Sequence, residues 1–113
     1  MDELVERLAS GEHPVSVGGP HASLDDLRRR LDELKYVLIK FTGTRGGTEL
    51  GMELDEEATD ASAADFEQGQ GTVHIEGSLV LNYDPVRCVA DIDLATLEGT
   101  GHLVPLEEPA TAS

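Results

Sequence analysis

From residue 71 to residue 97 apolar and polar side chains alternate with a period of two. Val73, Ile75, Leu79, Leu81 and Tyr83 fall on odd positions with Gly77 among them, and Thr72, His74, Glu76, Ser78 and Asn82 fall on even ones. Val80 alone breaks the rule. Successive side chains of a strand point to opposite faces, so the stretch predicts a strand with one oily face and one wet face. Asp84-Pro85 interrupts it. Pro supplies the fixed φ that a turn wants, and Asp can bond back to the turn backbone. The alternation resumes with Val86, Cys88, Ala90, Ile92 and Leu94 on one face and Arg87, Asp91 and Asp93 on the other, Val89 being the exception. The pattern predicts a long β-hairpin with a shared apolar face and a turn centred on 84–85 or 85–86. A one-residue slip would put Ile75 and Leu79 into water, so the face is well specified.

The flanks supply the cover. Residues 2–9 carry Leu4, Val5 and Leu8 at helical spacing, with acids in the first turn where the helix dipole favours them. Residues 11–22, rich in Gly and Pro, predict a connector. Ser23 is an N-cap for a second helix to about Leu34, with Asp26 three residues on and Leu24, Leu27, Leu31 and Leu34 in one stripe. Residues 36–42 alternate Val37, Ile39 and Phe41 on one face, GTRGG at 43–47 turns the chain, and Thr48, Leu50, Met52 and Leu54 alternate with Glu49, Gly51, Glu53 and Asp55. Residues 55–70 show no strand pattern and predict a mobile acidic surface loop. Residues 98–101 predict a turn before a short edge strand at 102–106, whose Pro105 cannot donate to a ladder.

The sum is one α+β domain over residues 1–106, with a disordered tail at 107–113. Two N-terminal helices precede a five-stranded antiparallel β-meander, and an oily face of that size can also curl into a partly closed barrel.

Composition fits one modest core. A chain of 113 residues buries roughly 65% of its unfolded surface. With 39% hydrophobic but only 4% aromatic residues, that core is built from Leu, Val and Ile. No apolar run approaches membrane-spanning length and no signal segment is evident, so the expected setting is cytoplasmic, with no membrane contact. Six Arg against two Lys, with abundant Ala, Gly, Leu and Asp, suits a GC-rich bacterial genome. The single Cys88 cannot form an internal disulfide and, on the oily face, reads as a small hydrophobe.

Charge changes the picture most. Residues 1–45 balance to −1 and residues 46–113 to −14, Arg87 being the only base in the second part. A field of this sign repels phosphate backbones and excludes direct nucleic-acid binding. It keeps sheet edges apart, and it also suits docking to a basic protein partner. The Arg28, Arg29, Arg30 run reads as the solvated side of the second helix.

Three groups of residues could carry chemistry. On the wet face of the hairpin, His74 and Glu76 are two apart, and Asp91 and Asp93 are paired on the neighbouring strand. Facing acids repel unless a cation, a proton or Arg87 intervenes, so these four are the weak catalytic candidates beside the plainer reading of a solvated face. Tyr36, Tyr83 and His102 could place polar groups around an apolar cavity between sheet and helices, as a ligand-binding set. His13 and His21 sit eight apart in the connector, without diagnostic metal spacing. GTRGGTELG at 43–51 opens no helix and so lacks the geometry of a phosphate loop.

No cofactor and no metal is implied. The sequence reads as a small acidic binding or accessory protein, acting through a protein partner or a small apolar molecule. The alternative is a cofactor-independent cyclase or isomerase working in a cavity of the curled sheet.

Overall fold

The computed structural model describes residues 3–19, 22–44, 46–81 and 83–106. Its elements are helix α1 (Glu3–Ala9), strand β1 (His13–Val17), helix α2 (Leu24–Arg29) running on as a π-helical turn (Arg30–Leu34), and strands β2 (Tyr36–Phe41), β3 (Thr48–Leu54), β4 (Ala64–Asp65), β5 (Gln70–Leu81), β6 (Asp84–Asp93) and β7 (Glu98–Pro105). The proposed tail, His21, Arg45 and Asn82 lie outside the described residues.

The class is α+β, with few helices and much sheet. The strands run in the order β3-β2-β1-β7-β6-β5-β4, and β3 also pairs with β5. That last pairing closes six strands into a barrel. The closing seam is only two pairs long, Glu53↔Ser78 and Leu54↔Gly77. Gly77 makes it possible: a Cβ there would lie 2.5 Å from the Glu53 carbonyl oxygen and 2.8 Å from Met52 Cγ. Glycine within a strand often marks such a close backbone approach.

The long hairpin forms with its apolar residues in register, Val73↔Ile92, Ile75↔Ala90, Gly77↔Cys88 and Leu79↔Val86. Its turn lies two or three residues earlier than expected, because Leu81 pairs with Asp84 and Val80 with Pro85. A two-residue hairpin loop of the favoured kind needs positive φ, which Pro cannot adopt. Tyr83 supplies it, at φ 70°.

Other expectations are corrected. There are seven strands rather than five, and β1 separates the two helices. In the expected connector, Val15 and Val17 alternate inward, and the Pro14 carbonyl accepts from the Thr42 N–H at 3.1 Å. Ser23 caps α2 as expected, accepting from the Asp26 N–H at 3.1 Å. Leu27 and Leu31 are buried, but Leu34 is exposed. The wider π-helical turn rotates it off the stripe. The expected turn at 98–101 is strand: Gly99 and Gly101 lie in β7, where a side chain would strike the Asp91 and Val89 carbonyls. The chain turns instead at 94–97.

The acidic stretch 55–70 is not a free loop but a strap along the outer edge of β5. The Asp55 N–H donates to the Glu76 carbonyl (2.9 Å), Asp60 and His74 exchange backbone bonds (2.8 and 2.9 Å), and β4 pairs with the start of β5. Ala64 and Phe66 pack against the core. Three aspartates fold the strap by capping its turns. Asp55 Oδ1 accepts from the Glu57 and Ala58 N–H groups, Asp60 Oδ1 from Ser62, and Asp65 Oδ1 from Glu67 and Gln68. Such local side-chain bonds give a backbone its turns without any strand alternation.

The barrel interior is filled by side chains from every long strand, including Phe41, Ile39, Met52, Ile75, Ile92 and Leu103, with Val5 and Leu8 of α1 and Leu27 and Leu31 of the second helix. Among the described residues it contains no buried polar or charged residue.

Candidate functional site

Two features stand out on the outside of this packed barrel: a polar network on the wet face of the hairpin and an open apolar depression at its turn end.

The network begins from period two. His74 and Glu76 share one face of β5, and Asp91 and Arg87 share the facing side of β6, with His74 opposite Asp91. His74 Nδ1 lies 2.7 Å from Asp91 Oδ1 and Nε2 lies 2.7 Å from Glu76 Oε2. The Arg87 Nε–H donates to Glu76 Oε1 at 2.8 Å, and its other arm donates to Asp55 of the strap. Glu76 and Asp91 on their strands, with Asp55 reaching in from the strap, would repel one another. His74 and Arg87 intervene between them, as the facing-acid argument requires. Asp93 does not join: its Oδ1 accepts from the Ala95 N–H in the next turn. The member that sequence pattern missed is Asp55.

The shifts follow this geometry. Glu76 first, then Asp91, raise His74 above its usual 6.5. Arg87 first, then His74, hold the Glu76 carboxyl below its usual 4.5. Arg87 and then the Ala58 N–H lower Asp55. These groups are all committed to one another. The arrangement can tie segments together and sense a proton, and among the described residues no group of three or more His, Cys, Asp or Glu is placed to hold a metal ion.

Tyr36, Tyr83 and His102 do not converge on a cavity. Tyr83 stands on the hairpin turn with 97% of its surface exposed. His102 faces α1 on the outside, its Nδ1 3.4 Å from Glu12 Oε2. Tyr36 lies across Gly51 on the outer face, in room that a side chain at Gly51 would fill. His13 Nε2 bonds the Ser10 carbonyl at 3.0 Å, and its ring meets Phe41 edge-on. Burial pushes the Cys88 thiol up to about 12, far from a reactive thiolate. GTRGGTELG is a hairpin turn and the start of β3, with Gly46 and Gly47 at positive φ.

Tyr36 instead helps line a depression of about 480 Å³ with Gly51, Glu53, Ser78, Leu79, Val80, Pro85 and Leu106. It opens where β3 and β5 part beyond the seam. Val80 is 67% exposed there, Tyr36 43% and Leu106 41%, and Tyr83 stands on the adjoining turn. Among the described residues these four make up most of the exposed large hydrophobic side chains. A soluble surface rarely gathers apolar groups this way without a use for them. Val80, the one break in the strand's alternation, was the sequence signal for it.

The barrel is closed, its interior is apolar and filled, and one end exposes apolar side chains. The family model for the core binding factor beta subunit matches residues 21–113, and the chain belongs to that family. It is an accessory protein that acts through a protein partner. No curated protein sequence matches the chain significantly. The family match lends no support to the bacterial origin or to the cyclase alternative.

Proposed function

We propose that the chain is a non-catalytic partner subunit that docks its hairpin end onto a basic, nucleic-acid-binding protein. The observation that carries this is the gathering of Tyr36, Val80 and Leu106 around one depression, with Tyr83 exposed on the adjoining turn. Interface centres favour exposed aromatic and aliphatic anchors with few charges, and Tyr in particular recurs as a hot spot. The one acid in the lining, Glu53, has no ion-pair partner among the described residues. It suits a Lys or Arg at the partner's rim.

The surrounding field supports the same occupant. Residues 46–113 carry a balance of −14, which steers a basic protein inward and keeps the subunit itself off nucleic acid. The family adds that the partner is a protein and the subunit an accessory.

A small apolar ligand fits less well. The barrel is filled, and the pocket between Leu31, Leu54 and Phe66 offers only about 160 Å³, against roughly 300–1,000 Å³ for ordinary ligand clefts. The larger depression lies open on the outer face and would leave a small molecule half in water. A cyclase lacks convergent polar groups in the interior.

The test uses two outward-facing changes, Val80→Ser and Tyr83→Ser. Each should hold stability within about 0.5 kcal/mol, as exposed substitutions do. Together they should weaken partner binding about tenfold or more, in the range of hot-spot truncations. Binding that survives both changes would contradict the proposal.

A further inference from the structure

Both ring nitrogens of His74 lie 2.7 Å from carboxylate oxygens, Nδ1 from Asp91 and Nε2 from Glu76. A neutral imidazole has one N–H and one lone pair. It can satisfy one of these carboxylates and must turn its lone pair on the other. Only the imidazolium donates to both. The geometry therefore describes a protonated histidine.

What that proton holds can be followed bond by bond. Glu76, fixed on one side by His74, accepts from Arg87 on the other at 2.8 Å, and Arg87 reaches Asp55. Asp55 is the first residue of the strap after β3, and its N–H donates to the Glu76 carbonyl at 2.9 Å. Farther along, Thr59 Oγ1 bonds the Glu76 backbone in both directions at 3.2 Å, and Asp60 pairs with the backbone of His74 itself. The strap is thus fastened to β5 at Glu76 and at His74 itself, next to the two-pair seam at Gly77 and Ser78.

We propose that His74 is a proton-operated latch: charged, it fastens the 55–65 strap along β5, and on losing its proton it frees one carboxylate and loosens the strap and the seam. The charged groups facing the ring are Glu76 on its own strand, Asp91 on β6 and Asp60 on the strap, with Arg87 behind Glu76. β7 places the uncharged Thr100 opposite Asp91. All three nearest groups are acids, so each favours the charged ring. The direction of the shift agrees, since His74 is raised above 6.5. The switch therefore falls on the alkaline side of that value, where histidine is the side chain suited to respond.

The latch bears on docking because Glu53 and Ser78, which form the seam, also line the depression. That consequence rests on reading the hairpin end as the docking face. The latch itself does not, and its test needs no partner.

The test is amide hydrogen exchange of the free full-length chain, read as protection factors for Asp55, Asp60 and His74, beside an NMR titration of the His74 ring. In the wild type, protection of these amides should fall several-fold as pH rises through the measured His74 midpoint, while Ile75 and Ile92 in the core stay protected. His74→Gln should remove the pH dependence. Asp91→Asn, which leaves the ring but removes one acid, should carry both the ring midpoint and the exchange transition to lower pH, and it decides the matter if His74→Gln does not fold. Strap protection that ignores the ring's titration, or a transition that persists unchanged in His74→Gln, would overturn the latch and leave the docking proposal standing.

Discussion

Gly77→Ala is the sharpest test of the closed barrel. Gly77 has no positive φ, so alanine can adopt its backbone freely. In an open strand the change would help by about 0.4–1 kcal/mol, because the unfolded chain loses entropy. Here the added Cβ meets the Glu53 carbonyl oxygen at 2.5 Å and the Met52 side chain at 2.8–3.0 Å. The methionine can move, but the carbonyl belongs to the seam. Overpacking of this kind costs about 1–3 kcal/mol. The net expectation is a loss of about 1–2 kcal/mol, since the closing pairs Glu53↔Ser78 and Leu54↔Gly77 must part. Urea unfolding followed by circular dichroism measures the loss, and faster exchange of the Asp55 amide, which donates to the Glu76 carbonyl beside the seam, locates it. A Gly77→Ala protein as stable as wild type, with the Asp55 amide equally protected, would refute the closure.

Other consequences follow from the same packing. Ile75→Ala, at a fully buried site, should cost roughly 2–5 kcal/mol in denaturant unfolding, and half-buried Leu79→Ala should cost less. The strap acids should divide: Asp55→Ala and Asp60→Ala, which remove the oxygens that cap the turns and, at Asp55, the partner of Arg87, should lower the melting temperature, while Glu57→Gln should leave it unchanged or raise it at low salt. Stability against pH should have two shoulders. The His74 contribution is complete below its unfolded value near 6.5 and is lost as pH rises through its raised folded value; those of Glu76 and Asp55 are complete above 4.5 and 3.8 and are lost as pH falls through their lowered values. Thermal melts between pH 3 and pH 9 check this.

Much of this was legible in the residues. Alternation identified the oily face of the hairpin, and Val73, Ile75, Val86, Cys88 and Ile92 are all buried. The i, i+2 spacing put His74 beside Glu76 and placed Arg87 and Asp91 on the wet face of the next strand, while the register that brings them together follows from the earlier turn. What escaped was set by other physics. The Gly and Pro around β1 masked the short alternation of Val15 and Val17. The strap is held by aspartates that cap turns and by pairing along β5, and neither leaves a period in the sequence. Asp55 joined the network only because closure of the barrel carries it to Arg87, 32 residues away in the chain. The Tyr36, Tyr83 and His102 set failed because the barrel is filled by its own aliphatic side chains, which turns these three outward.

The measurement that tests the account most directly is a hydrogen-exchange map of the chain alone and bound to its protein partner, taken by mass spectrometry at constant salt. The account predicts that added protection gathers at the hairpin end, in peptides covering Leu79–Pro85, Gly51–Glu53 and Leu106, with the Arg28–Glu33 face of the second helix unchanged. Protection centred on that helix face, or on the β1–β7 side of the barrel, with the hairpin end exchanging as freely as before, would contradict it.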